Sequence, residues 1–215
     1  MIDAVVFDLD GVIVDSEQVW DEIREQLAEE RGGRWHAGAQ AAMMGMSSPE
    51  WSAYMHEEIG LRESPAEIND EVVRRMLGRY REELPLIDGA VEAVQRLAAG
   101  FTLGVASSSN RPLIAAVLEG AGIAGLFAVT VSSEEVACGK PAPDVYLEAM
   151  RRLGVGAPRT AAVEDSSNGI RAAHAAGMRV LALPNAHYPP QADVLALADV
   201  VIASPAELTF ELVRG

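Results

Sequence analysis

The stretch Ala4-Val5-Val6-Phe7-Asp8-Leu9-Asp10-Gly11 decides how the rest of the sequence is read. Four apolar residues run without interruption, as in a strand buried on both faces of a parallel sheet. Two carboxylates follow where that strand must end, and Gly11 lets the chain turn sharply. Asp-x-Asp by itself is an ordinary turn signal, so its meaning depends on how the other strands end.

From residue 101 onward the same kind of run recurs, alternating with helical patterns. The predicted strands are 101–106, 129–131, 161–163, 180–183 and 200–202, with helices from Pro112, over 144–153, over 170–176 and from Pro205. Strands alternating with helices predict an α/β fold, a Rossmann-like parallel sheet with helices on both faces, and the run at 4–7 belongs to that sheet. Residues 15–85 differ. Val19, Ile23 and Leu27 recur every four residues in a Glu-rich stretch over 16–31, and 49–59 and 67–81 are also helical in pattern. No strand is evident there, so the expectation is a helical-bundle cap at 15–85 inserted into a core made of 1–14 and 86–215. The segment Pro85-Leu86-Ile87-Asp88-Gly89 marks the return.

Composition narrows the function classes. The 215 residues are 49% hydrophobic and 23% charged, as in an ordinary globular protein. A net charge of −15 argues against a protein that holds nucleic acid or anionic lipid through a basic surface, leaving small molecules or proteins as partners. Cys138 is the only cysteine, and His36, His56, His174 and His187 match no metal-site spacing, so neither a disulfide nor zinc staples the fold. The sequence starts on a strand without a basic region and apolar run, and 18 consecutive apolar residues occur nowhere, so a cytoplasmic location is expected.

In an open parallel sheet, ligands gather at the carboxyl ends of the strands. The strand at 101–106 ends in Ser107-Ser108-Ser109-Asn110, which can cap a helix or present hydroxyl and N–H groups to an anion. The strand at 161–163 ends in Glu164-Asp165-Ser166, adjacent acids that need a cation, and oxygen-only ligands suit Mg2+. Lys140 lies in Gly139-Lys140-Pro141-Ala142-Pro143, where two prolines stiffen its approach. Each feature alone has an ordinary structural explanation. Together on one sheet edge they assemble carboxylates for a metal and a nucleophile, with a lysine and hydroxyls for phosphate oxygens, which is a site for phosphoryl transfer.

The segments Asp8 to Ser16, Val105 to Asn110, Gly139 to Tyr146 and Glu164 to Gly169, in this order, resemble the four motifs of the haloacid dehalogenase superfamily. Within it they resemble the helical-cap branch that includes β-phosphoglucomutase and small sugar-phosphate phosphatases. The resemblance implies a Mg2+-dependent phosphatase for a small phosphorylated metabolite. In it Asp8 would be the nucleophile that forms an aspartyl-phosphate, and Asp10 the general acid and base. Ser107 would hold the transferring group and Lys140 would bridge the nucleophile and the phosphate. Gly11, Ser108 and Asn110 would surround the phosphate. Asp8, the backbone carbonyl of Asp10, and Asp165 would bind Mg2+, with Glu164 beside or behind them.

Trp20 stands where the mutases carry a histidine, and Ser48 stands after Gly45-Met46-Ser47 where they carry a phosphate-binding arginine. Both departures favour a phosphatase over a mutase, with a catalytically silent binding module as the reading of a different class. Trp20 and Gly45 are the cap's candidate substrate contacts, with core packing the alternative for Trp20. Met43, Met44 and Met46 either line the site or fill the interior. The acidic residues Glu17, Asp21, Glu22, Glu25, Glu29 and Glu30 read as the wet face of the first cap helix, and His187 as a solvated loop residue. The net negative charge predicts that kcat/KM for a phosphate ester rises with added salt, because screening weakens a repulsive field. A series of initial rates at increasing ionic strength checks this, and a steep fall contradicts it.

Overall fold

A computed structural model describes residues 1–44, 46–185 and 188–215. In chain order, β1 (Ala4–Phe7) is followed by α1 (Glu17–Glu30), α2 (Ala39–Met43), α3 (Ser48–Glu57) and α4 (Pro65–Glu82). Next come α5 (Ala90–Ala98), β2 (Thr102–Ser107), α6 (Arg111–Gly120), β3 (Phe127–Ser132) and α7 (Asp144–Leu153). The chain finishes with β4 (Thr160–Glu164), α8 (Ser167–Ala175), β5 (Arg179–Ala182), α9 (Ala192–Leu195), β6 (Val200–Val201) and α10 (Phe210–Arg214). All strand pairs are parallel, in the order β3-β2-β1-β4-β5-β6. Chain order reverses at β1, and such a switch point leaves a crevice outside the carboxyl ends of the strands.

The two-residue period of the strands sorts the core into layers. Val5, Phe7, Leu103, Val105, Ala161 and Val163 face one side, with Val94 and Leu97 of α5, Leu113 and Val117 of α6 and Val213 of α10. Val6, Ala106, Ala162 and Val180 face the other, with Val145 and Ala149 of α7 and Ile170 and Ala173 of α8. Helices therefore cover both faces, which is why the strands read as continuous apolar runs rather than alternating ones.

The insert is helical, as its pattern predicts. Trp20, Ile23 and Leu27 of α1 are buried along with Trp51 and Met55 of α3 and Ile68, Val72 and Met76 of α4. Ser64 and Glu67 cap α4 reciprocally, Ser64 N donating to Glu67 Oε2 at 2.9 Å, and Pro65 occupies the first turn. The chain leaves and returns side by side: Asp15 N donates to Pro85 O at 2.8 Å, and Ile87 N to Ile13 O at 3.0 Å. The helices α2, α5 and α9 escape the sequence reading. Two are no longer than five residues, and α5 lies directly behind the Pro85–Gly89 turn. Among the described residues no helix is long and apolar enough to cross a membrane.

Phe7 is 1% exposed and meets Phe127 edge to face, ring centroids 6.0 Å apart. Phe7→Ala opens a cavity under the strand end that carries Asp8, and the expected loss is about 3–5 kcal/mol, measurable by urea unfolding.

Candidate active site

The carboxyl ends of β1 and β4 are neighbours, so Asp8, Glu164 and Asp165 come together, with carboxylate oxygens within 4.8 Å of one another. All three are buried, as is Lys140, which arrives on the loop before α7. Lys140 Nζ lies 2.9 Å from Asp8 Oδ1 and 2.6 Å from Glu164 Oε1. Burial alone would lower the lysine's pKa, but Asp8 and then Glu164 raise it, so the ammonium stays charged.

Glu164 is fully engaged. It accepts from Lys140, from the Tyr146 hydroxyl at 2.7 Å, from the backbone N–H groups of Asp165 and Ser166, and from the Ser166 hydroxyl. A carboxylate with so many donors braces Lys140 and the β4 end, while its oxygens stay within the Asp8, Glu164 and Asp165 cluster. Asp165 Oδ2, by contrast, is buried with no hydrogen-bond partner among the described residues. Burial, reinforced by Glu164, raises the Asp8 carboxyl to about 8, and burial with Glu164 and Asp8 raises Asp165 well above the carboxylate range. Two buried acids driven towards the neutral form, an orphaned oxygen and an all-oxygen donor set fit a divalent cation such as Mg2+. Gly11 serves the same cluster. Its φ is +76°, and a Cβ there would lie 1.8 Å from Asp165 Oδ2, so the glycine makes room for the carboxylate.

Asp10 leaves the same strand end into different surroundings. Oδ1 accepts from Ser16 Oγ at 2.5 Å and from Trp20 Nε1 at 3.4 Å, while Oδ2 accepts from Ser109 Oγ at 2.7 Å and Ser107 Oγ at 3.4 Å. Its donors come from both the core and the helical insert, so they meet at Asp10 only while the insert lies against the core. Further contacts hold that arrangement. Asn168 donates to Met44 O at 3.3 Å, and Asn110 Nδ2 to Asn69 Oδ1 at 3.0 Å.

Between insert and core lies a cleft of about 500 Å3, its open mouth included, lined by Asp8, Asp10, Lys140, Asp165, Ser108, Ser109 and Ser166 from the core. Glu17, Trp20, Arg24, Met43, Met44, Met46 and Trp51 face them from the insert. The methionines therefore line the site, and Trp20 does so while also packing edge to face on Trp51 at 5.8 Å. Several sequence expectations change. Asn110 does not reach the cleft: its amide donates to Glu134 at 2.7 Å as well as to Asn69, and it caps α6 and ties the insert down. Ser107 is fully buried behind the cleft, accepting from Ser109 N and donating to Asp10, and Ser109, absent from the expected set, lines the cleft in its place. Glu17 is not on a wet face. It lines the cleft and accepts from Gln40 Nε2 at 2.9 Å, and burial followed by the Asp10 charge pushes its carboxyl up to about 7. Gly45 and His187 lie outside the described residues. Arg24 and Gln40 were missed, because a helical pattern shows which side is apolar but not which polar residue is tucked inward.

A model of the haloacid dehalogenase-like hydrolases matches residues 2–177. Hexitol phosphatase B of Escherichia coli (strain K12) is 32% identical over 220 residues, covering 99% of this chain and 96% of the relative. Fructose-1-phosphate phosphatase YqaB of the same strain is 31% identical over 180 residues, covering 81% of this chain and 92% of the relative. The crystal structure of CbbY from Rhodobacter sphaeroides in complex with phosphate superposes with a TM-score of 0.89 at 27% identity, covering all of both chains.

The raised carboxyls make metal binding a pH-linked event. In the metal-free fold Asp8 and Asp165 keep protons that the unfolded chain releases, so stability falls as pH climbs from the ordinary aspartate value near ~4 towards about 8. A cation must displace those protons, so the stabilisation by Mg2+ grows with pH. At a hundredfold excess over its Kd, Mg2+ is expected to raise Tm by roughly 5–10 °C, more at pH 8 than at pH 6. Asp165→Asn should remove most of the increment, as read by thermal melts with and without the ion.

Proposed function

The chain belongs to the haloacid dehalogenase-like hydrolases and is a phosphatase, and from that premise we propose that it hydrolyses a small phosphomonoester, a sugar phosphate, through a covalent phosphate on Asp8 with Mg2+ as cofactor. One observation carries the reading: Asp8 and Asp10 leave the same strand end into different environments, one beside a buried ammonium and a carboxylate with one oxygen unpartnered among the described residues, the other among hydroxyls at the cleft. Two carboxyls kept apart in this way can hold different protonation states and different tasks.

In the first half-reaction an Asp8 oxygen attacks phosphorus, the bond from phosphorus to the ester oxygen breaks, and protonated Asp10 gives its proton to the departing alkoxide. In the second, Asp10 takes a proton from water as that water attacks phosphorus, releasing inorganic phosphate and restoring Asp8. Lys140, fixed between Asp8 and Glu164, reduces the repulsion between nucleophile and phosphate oxygens. Ser108 and Ser109 offer hydroxyls from the other side of the cleft. Asp8, Asp165 and the Asp10 backbone carbonyl would hold Mg2+, whose charge when bound keeps both carboxyls ionised and offsets the approach of an anionic ester to an anionic nucleophile. The insert closes the cleft to bulk water while Trp20 and Ser16 hold Asp10 in place.

The sugar-phosphate assignment is supported by Glu17, an insert carboxyl that lines the cleft and can accept from hydroxyl groups, and by the similarity to hexitol phosphatase B and the fructose-1-phosphate phosphatase. Release of inorganic phosphate from sugar phosphates, phosphoglycolate and an aryl phosphate, with Mg2+ and with chelator, tests the proposal. Turnover should require the metal, and Asp8→Asn should lower it by at least about 10^4-fold. No release by folded protein, or movement of the phosphate to another hydroxyl of the same sugar, would overturn it.

A further inference from the structure

Arg24 is the cleft residue that hydrolysis as derived above leaves unused. It projects from α1, is only 4% exposed, and yet lines the cleft. Its guanidinium carbon lies 4.4 Å from the Trp20 ring centre and 4.7 Å from that of Trp51. Nη1 donates to Gln40 Oε1 at 3.1 Å, whereas Nε, itself buried, has no hydrogen-bond partner among the described residues. Glu17, Asp10 and Asp21 act on it only through space, and the Glu17 carboxylate is taken by Gln40. Burial lowers the guanidinium to about 10, which still leaves it a cation at neutral pH.

A buried guanidinium without a paired carboxylate is expensive, and two indole faces offset only part of the cost. Two indoles and an amide orient the group beside the cleft and leave Nε a buried donor without a partner among the described residues. A planar cation held in this way is suited to a carboxylate or a phosphate, with which it forms short charge-assisted hydrogen bonds. A neutral polyol would leave it unpaired. Trp20 sets the spacing: its Nε1 meets Asp10 at 3.4 Å while its ring face covers Arg24, so the cation lies across one indole from the carboxyl that protonates the leaving oxygen. A short carbon skeleton spans that gap.

We infer that Arg24 is the specificity-determining cation of the insert, and that the substrate's leaving group carries a second anionic group, a carboxylate or a phosphate, which pairs with Arg24 between Trp20 and Trp51. This rests on the phosphomonoester reading above and names the class of ester.

The test uses matched esters that differ by one anionic group: 3-phosphoglycerate against glycerol 3-phosphate for a carboxylate, and fructose 1,6-bisphosphate against fructose 1-phosphate for a phosphate. Affinities are measured by calorimetry on Asp8→Asn protein with Mg2+, and kcat/KM on the unaltered enzyme. The anionic member of at least one pair should be favoured by at least about 30-fold, and Arg24→Met should collapse that ratio, with Arg24→Lys retaining part of it. The pair that shows the preference identifies the anion. A role in packing alone would weaken both members of a pair equally and leave the ratio unmoved. Equal use of both members, or a ratio indifferent to Arg24→Met, overturns the inference while the phosphatase reading stands. If no ester binds or turns over, the phosphatase reading fails and this inference falls with it.

Discussion

Three carboxylates and one ammonium are buried together where two parallel strands end, and much of the surrounding structure accommodates them. Asp8, Glu164 and Asp165 would repel one another out of the fold without Lys140, and Lys140 would not stay charged in the interior without Asp8 and Glu164. Glu164 absorbs most of the local hydrogen-bonding capacity. Tyr146 reaches it from α7, and Gly169 opens the first turn of α8, where a Cβ would lie within 2.0 Å of its carboxylate. Glu164 thus fixes the direction of Lys140, and Lys140 fixes the approach to Asp8.

The excess of negative charge in that cluster also defines its chemistry. Burial, and then the neighbouring negative charge, drive Asp8 and Asp165 towards neutrality, and a divalent cation bound there would restore the ionised form that the proposed nucleophile needs. Asp10, two residues from Asp8, turns instead towards hydroxyls and an indole. Part of that shell belongs to the helical insert, so substrate enclosure and the placement of Asp10 are one event. The same indole continues into the insert to cover Arg24, which links the reacting end of the cleft to the end that faces the leaving group.

Much of this was legible in residue order. Apolar runs followed by acids, hydroxyls or a lysine located β1, β2, β4 and the Lys140 loop, and the four-residue spacing of Val19, Ile23 and Leu27 located α1. What misled was the direction of side chains. Asn110 looked like a phosphate ligand because it follows a serine cluster, but as the residue capping α6 it turns to Glu134 and Asn69. Glu17 looked like one of many surface acids because helical periodicity marks the apolar side of α1 but not the polar residue at its start that turns into the cleft.

The sequence by itself determined the architecture and which polar residues stand at the strand ends, because strand burial, helix periodicity and the chemistry of strand-end residues are local properties that survive in one dimension. Tertiary structure alone decided that Asp165 Oδ2 is left without a partner among the described residues, that Glu164 braces Lys140, and that an arginine from a Glu-rich helix is drawn into the cleft between two tryptophans. Those outcomes depend on which donors arrive from elements far away in sequence, and burial makes each encounter strong enough to set a proton or a charge.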